Sequence, residues 1–471
     1  MDLAKSTLKI FLARLSGSVL SFLGTVYFAN ELGSSLFGTF VLFQAISQML
    51  AVPADFGLQG AVIKRMSERE NPSEVLSTAI LMLGTSLIIV SICVYIFRST
   101  INKYLGATLA VFVISVVILN ELSKLAENVL KGELRVGETA TLNFAKQFIF
   151  NGLGAVLLYI NANVLGLVYA FITSLTIVFF WGAYKWDTPL GHPSLRTAQS
   201  LFNFSKFSVI SHVDSYLYNW LDVAVIGLLL TQAEVGAYEV AWRVSAIVML
   251  FSGAIETVIL PQISEWDSED EHKQIENVLR PALTASLFFV IPAFFGGIIL
   301  SYDLLFYVFT PEYAAAWPVL IVLLSGKLFE GIDRIFKNIL SGMDRPDLRA
   351  VAVIASTFLN LVLNFTLVWW IGSVGAAIAT IVSFGVSTLI IVYYLSDIII
   401  ITYPYRELLS CSISASLMAV ILVLVQNYIP ITSLQRLTAF VLFGGLLYVT
   451  TIVMFPSMRR QIRNVLRLGV E

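Results

Sequence analysis

Asn128–Val129–Leu130–Lys131–Gly132–Glu133–Leu134–Arg135 returns as Asn338–Ile339–Leu340–Ser341–Gly342–Met343–Asp344–Arg345, about 210 residues later (338 − 128). Asn, Leu, Gly and Arg keep the same spacing. Asn and Arg are expensive letters in an apolar chain, so their coincidence carries more weight than shared Leu or Val. Two further matches follow the same order. Leu32–Gly33–Ser34–Ser35–Leu36–Phe37–Gly38–Thr39–Phe40 pairs with Leu230–Thr231–Gln232–Ala233–Glu234–Val235–Gly236–Ala237–Tyr238. Gly166, Ala170 and Ser174 pair with Gly375, Ala379 and Ser383. Self-similarity at one long period marks a duplicated architecture.

The chain has 471 residues, of which 58% are hydrophobic and 13% charged; mean hydropathy is +0.84. A water-soluble domain carries roughly 25% charged residues, because its surface must be wetted. This chain cannot wet a surface of its own size, and a bilayer is the solvent that accepts it. A net charge of −2 argues against a nucleic-acid partner. Cys93 and Cys411 both sit in apolar runs, with neither zinc spacing nor a disulfide framework.

Apolar runs at 9–29, 37–57, 74–97, 106–127, 139–160, 163–184, 206–230, 235–261, 281–302, 314–341, 347–371, 373–396, 407–427 and 433–456 predict about 14 transmembrane helices. Six helices separate equivalent positions of the repeat. An even number preserves orientation, so the expected fold is all-α: two parallel six-helix lobes, 1–200 and 201–400, around a central cavity. Two added helices and a basic cytoplasmic tail fill 401–471. Parallel repeats with a pseudo-two-fold axis along the membrane normal are a transporter architecture. The connections are too short to hold a water-soluble domain.

Basic residues fall on alternate loops. One side holds Lys5, Lys9, Lys64, Arg65, Arg69, Lys131, Arg135, Lys185, Arg196, Lys206, Lys273, Arg280, Arg345, Arg349, Arg406 and the tail residues Arg459, Arg460, Arg463 and Arg467; the other holds Arg98, Lys103 and Arg436. The positive-inside rule makes the first side cytoplasmic, with both termini on it. The first apolar run is longer than a signal-peptide core and shows no small-residue cleavage site, so it reads as a retained helix.

Charges inside apolar runs need a reason to be there. Arg14, Asp55, Glu121, Lys124 and Lys146 are the candidates in the first lobe; His212, Asp214, Asp222, Glu239, Arg243, Glu256, Lys327, Glu330, Asp333 and Arg334 are those in the second. Glu239 and Arg243, and Glu330 and Arg334, stand at i,i+4 and can pair on one helix face. Lys327, Glu330, Arg334 and Lys337 form one stripe, and Glu121, Lys124, Asn128 and Lys131 another, on helices that are repeat equivalents. Each stripe reads either as a wall of a watery cavity or as a structural set of ion pairs near the cytoplasmic end. Asp214, Asp222 and Glu256 are the candidates for coupling to a proton or sodium ion. The bland reading gives the two aspartates local hydrogen bonds.

At this point the sequence resembles the polysaccharide transporter branch, with its Wzx-type flippases, of the multidrug/oligosaccharidyl-lipid/polysaccharide exporter superfamily. The likeness rests on Leu32–Phe40 followed by Asp55–Phe56–Gly57–Leu58, on Leu130–Lys131–Gly132, and on Phe204–Ser205–Lys206–Phe207–Ser208. It continues through Leu221–Asp222, Val235–Gly236–Ala237–Tyr238 and Leu260–Pro261–Gln262–Ile263–Ser264. Thr310–Pro311–Glu312–Tyr313, Leu340–Ser341–Gly342 and Val374–Thr380 complete it. Thr310–Tyr313 departs from the family, which more often has a Gly before the tyrosine. The resemblance covers most of the chain. It implies alternating access and a substrate of sugars carried on an isoprenoid phosphate or pyrophosphate, moved across the cytoplasmic membrane for surface polysaccharide or glycoprotein synthesis.

Such a headgroup needs cationic donors, and guanidinium grips phosphate bidentately. Arg14 and His212 are related by the repeat and are the first candidates, with Lys146, Lys327 and Arg334 beside them; snorkelling to the surface is the alternative for Arg14. Partners are then the lipid-linked glycan, membrane lipids and glycan-synthesis enzymes, with the chain acting as a monomer and no cofactor required. A lipid II flippase and a drug/cation antiporter are alternatives in the same superfamily; the antiporters usually stop near 12 helices. A membrane glycosyltransferase or polymerase would need a larger extramembrane loop. A Gly-x-x-x-x-Gly-Lys-Ser/Thr loop is missing from the sequence, so ATP hydrolysis by this chain is not expected.

Overall fold

The computed structural model describes residues 3–68, 71–161 and 163–459; the side chains at 3–15, 207–218, 254, 257 and 258 lie outside that description. Regular structure among the described residues is helical, without strands, and the chain forms two compact units, Met1–Gly236 and Ala237–Glu471. The first contains α1 (Leu3–Asp55), α2 (Leu58–Ser67), α3 (Pro72–Ile96), α4 (Arg98–Leu105), α5 (Ala110–Gly132), α6 (Val136–Ile160), α7 (Val164–Tyr184) and α8 (Leu195–Leu229). The boundary falls inside α9 (Gln232–Ile247). The second continues with α10 (Leu250–Ser268), α11 (His272–Leu287), α12 (Val290–Val308), α13 (Pro311–Ala314), α14 (Trp317–Gly342), α15 (Pro346–Ile371), α16 (Ser373–Ser396), α17 (Tyr405–Tyr428) and α18 (Leu434–Met454).

All fourteen apolar segments fall on helix. The first two share α1, which breaks at Gly33 (φ 70, ψ 172), a conformation that glycine adopts without steric penalty. Among the described residues, eight helical stretches are long and apolar enough to cross a membrane, or nine if the bent pair Arg98–Leu105 and Ala110–Gly132 counts as one. Helices α6, α8 and α14 are as long but more polar, α8 and α14 through their charges and α6 through Asn143, Lys146, Gln147 and Asn151.

The repeat is visible as two copies of one turn. Leu134 (φ 63) and Asp344 (φ 52) are both left-handed. Arg135 N donates to Leu130 O at 2.8 Å, and Arg345 N to Leu340 O at 2.9 Å. A residue of positive φ followed by an N–H reaching back five residues is how a helix end satisfies its orphan carbonyls. Gly166 packs on the Leu157 backbone and Gly375 on that of Leu367, again with equivalent partners. Gly38 and Gly236, equivalents in the first match, touch within the first unit. A Cβ on Gly38 would lie 1.8 Å from Gln232 O, and one on Gly236 would lie 2.2 Å from Ser34 O. Two backbones approach there at a distance that no side chain permits.

The added helices α17 and α18 dock on α11 and α12. Met418, Leu422, Leu437 and Tyr448 pack with Val290, Ile291 and Leu300. Tyr448 Oη donates to Phe288 O and Tyr307 Oη to Ile431 O, both at 2.9 Å. The Arg280 Nη2 donates at 2.9 Å to each oxygen of the buried Glu407 carboxylate. Removing the guanidinium strands that carboxylate away from water. Arg280→Ala is therefore expected to lower the stability of the detergent-purified protein by about 2 kcal/mol, the scale of a charged hydrogen bond. Thermal unfolding measures it, and Glu407→Gln in the same background should recover part of the loss.

Candidate functional site

In the first unit a chain of polar side chains joins α2 to α5. Glu121 is fully buried. Lys124 Nζ reaches its Oε1 at 2.7 Å from one turn away, and Gln59 Nε2 donates to its Oε2 at 2.5 Å. Gln59 uses its other atom, Oε1, to accept from Asn128 Nδ2, and Asn128 Oδ1 accepts from Lys131 Nζ at 2.8 Å. The helical period places Glu121, Lys124, Asn128 and Lys131 on one face of α5. Next to it, Glu127 faces α6, where Asn143 Nδ2 donates to Oε2 at 3.1 Å and Lys146 Nζ stands 3.7 Å from Oε1.

In the second unit the corresponding face of α14 is ionic. Glu330 is buried between Lys327 Nζ and Arg334 Nη2, each at 2.7 Å. Arg334 Nη1 also stands 3.7 Å from Glu256 on α10, and Lys337 Nζ lies 2.7 Å from Asp333. On α9, Arg243 Nε donates to Glu239 at 2.6 Å. The Trp242 ring receives both Lys327 Nζ and the Arg243 guanidinium at 5.6 Å, within cation–π range. The set balances, with four cations (Lys327, Arg334, Lys337, Arg243) against four acids (Glu330, Asp333, Glu256, Glu239). Exposure is uneven: the Lys327 side chain is 5% exposed and Arg334 38%. Lys327 is buried against Glu330, whereas Arg334 presents part of its fork outward.

Outside the spans, Arg135 and Lys185 hydrogen-bond Glu138 and hold its carboxyl down to about 2. Arg135 also reaches Glu133 at 3.2 Å and Asp187 at 2.8 Å, tying the loop after α5 to the loop after α7.

The sequence-predicted residues separate accordingly. Lys327, Arg334 and Glu256 come together around Glu330. Lys146 joins a different pair, with Glu127. Asp222 is buried on α8. The side chains of Arg14, His212 and Asp214 lie outside the described residues. Sequence reasoning passed over Gln59, Glu127 and Trp242. Gln59 directly follows the Asp55–Leu58 motif, a signal that could have flagged it.

The fold and the paired polar faces define a duplicated, two-lobed membrane carrier, and the comparisons with known proteins give the same class. The family model described as "Polysaccharide biosynthesis protein" matches residues 31–318, and the chain belongs to that family. It is 43% identical to the probable low-salt glycan biosynthesis flippase Agl15 of Haloferax volcanii, over 99% of each chain. It is 29% identical to the probable flippase AglR of the same organism, over 95% of this chain and 94% of that one. Among solved structures, the lipid II flippase MurJ in an inward closed conformation superposes with a TM-score of 0.82 at 18% identity, covering 95% of this chain and 98% of that one. That last likeness concerns the fold.

Gln59 is the joint of the first polar chain. Gln59→Leu is expected to leave Glu121 with Lys124 as its remaining charged partner and to strip Asn128 of an acceptor. A loss of roughly 2–4 kcal/mol follows if two buried groups lose partners. Thermal unfolding of purified protein measures it; an unchanged midpoint would show that the chain of bonds contributes nothing.

Proposed function

We propose that this protein is a flippase that carries a lipid-linked oligosaccharide across the cytoplasmic membrane by alternating access, for glycoprotein or surface-polysaccharide assembly. The observation that carries the reading is the end-to-end match to a relative named as a glycan-biosynthesis flippase. The half-exposed Arg334, held by Glu330 on its own helix, supports it chemically. A guanidinium already oriented by one carboxylate can exchange its looser partner, Glu256, for a phosphate oxygen. Arg14 and His212 are further headgroup ligands in this reading, and Asp214, Asp222 and Glu256 are the coupling groups for a proton or sodium ion. The protein acts as a carrier and not as an enzyme, works as a monomer, and has both termini in the cytoplasm.

Glycan display in a deletion strain tests the role of Arg334. Arg334→Ala is expected to lower display at least tenfold at normal membrane abundance. Arg334→Lys should keep an intermediate level, because an ammonium retains the charge and loses the fork. Full display by Arg334→Ala would remove this residue from the substrate path. Reporter fusions test the topology: a fusion at Gly191 should report cytoplasm and one at Gln426 the opposite side, and the reverse at either position would break it.

A further inference from the structure

The first unit carries a groove that the transport reading does not use. It lies between α3 and α5, has a volume of about 670 Å³, and is lined by Leu87, Ile88, Ile92, Tyr95, Ile114 and Ile118 among others. That volume falls in the range of about 300–1,000 Å³ typical of ligand sites. Gly84 forms part of its wall, and a Cβ built there meets nothing within 4 Å.

The dimensions match half a membrane. From Gly84 to Tyr95 the lining rises eleven residues along α3, roughly 16 Å at 1.5 Å per residue, about half of a hydrocarbon core of about 30 Å. The upper end is marked by charge. The Arg98 guanidinium sits over the Tyr95 ring at 4.3 Å, and its Nη1 donates to Tyr95 O at 3.1 Å. One nitrogen is thus used for orientation on an exposed side chain that has five N–H donors in all. There the chain turns into α4, which bends 97° from α5. Tyr104 Oη pins α4 by donating to Ala224 O at 2.8 Å, and α4 brings a second cation, Lys103. An apolar slot one leaflet deep, closed at the interface by an aromatic–cation pair, has the shape and charge of a lipid: tail below, phosphate above.

We propose that this groove binds one phosphate-headed membrane lipid, its tail between α3 and α5 and its phosphate on Arg98. On the proposed topology it belongs to the leaflet away from the cytoplasm. The basic residues Lys64, Arg65 and Arg69 precede α3, and the groove occupies the other half of that helix.

Native mass spectrometry of the full-length protein, purified in mild detergent from its own membrane, tests it. The wild type should retain one phospholipid mass. Arg98→Gln, which changes an exposed side chain, and Gly84→Trp, which fills the slot, should each lower that adduct at least fivefold. Leu446→Trp, on the exposed face of α18, should leave it unchanged. Gly84→Leu is the smaller filler if the tryptophan variant is not recovered. The proposal is overturned if the wild type carries no lipid, if both groove variants retain it at wild-type level, or if the α18 control loses it equally. An adduct mass carrying sugars on an isoprenoid phosphate would also overturn it, by assigning the groove to the transported substrate.

Discussion

A carboxylate inside an apolar span must find its counter-charge within reach of its own side chain. The bilayer core offers it no water, and a buried charge left without a partner is strongly destabilising. Glu330 meets this constraint on its own helix. Lys327 stands three residues before it and Arg334 four after, both at 2.7 Å. Asp333 and Lys337 do the same three residues further along. Because the partners share α14, the pairs travel with it. A displacement of that helix would keep its own carboxylates neutralised and break the looser contacts to its neighbours, Arg334 to Glu256 at 3.7 Å and Lys327 to the Trp242 ring at 5.6 Å. For a carrier that exchanges conformations this matters, since a helix locked to its neighbours by buried ion pairs would have to desolvate each charge anew.

The first unit also pairs its buried Glu121 with a lysine of the same helix, Lys124, and adds amides that reach the next helix. Gln59 of α2 donates to Glu121 and accepts from Asn128 of α5, so one side chain bridges two helices. Asn338, the equivalent of Asn128, lies beside Glu256 of α10 in the second unit. The asparagine and its reach to the neighbouring helix persist in both halves, while the group it faces changes from a neutral amide to an acid. The repeat thus preserves geometry and varies charge.

This also explains what could be read from the sequence. The Asn-x-Leu-x-Gly-x-x-Arg repeat was legible because it is a local object: the helix end, the left-handed residue and the returning Arg N–H occupy eight consecutive positions, so spacing survives as text. The i,i+4 pairs Glu239–Arg243 and Glu330–Arg334 were legible for the same reason. Gln59 was not, because its partner Glu121 lies 62 residues away and a glutamine just past the end of an apolar run looks like any other residue of a connection. Arg280 read simply as one more basic residue on the cytoplasmic side; its partner Glu407 is 127 residues distant, and only packing brings them together. Glu127 stood at the last residue of an apolar segment, where an acid needs no explanation until α6 is seen to lie against it.

Lys124 and Arg334 occupy equivalent places (334 − 124 = 210), each beside a buried glutamate at one turn's distance. Their chemistry is not equivalent. The Lys124 ammonium is a compact point charge, 24% exposed, whose attraction for an anion has no preferred orientation. The Arg334 guanidinium is planar, 38% exposed, and already aligned through Nε and Nη2 by Glu330, so any oxygen that joins it must approach in its plane. A duplicated fold would place the same donor twice if symmetry served the substrate. A headgroup with a phosphate at one end and sugars at the other has no two-fold axis of its own. Directional recognition in the second unit and non-directional charge in the first are what such an asymmetric ligand requires from two related lobes.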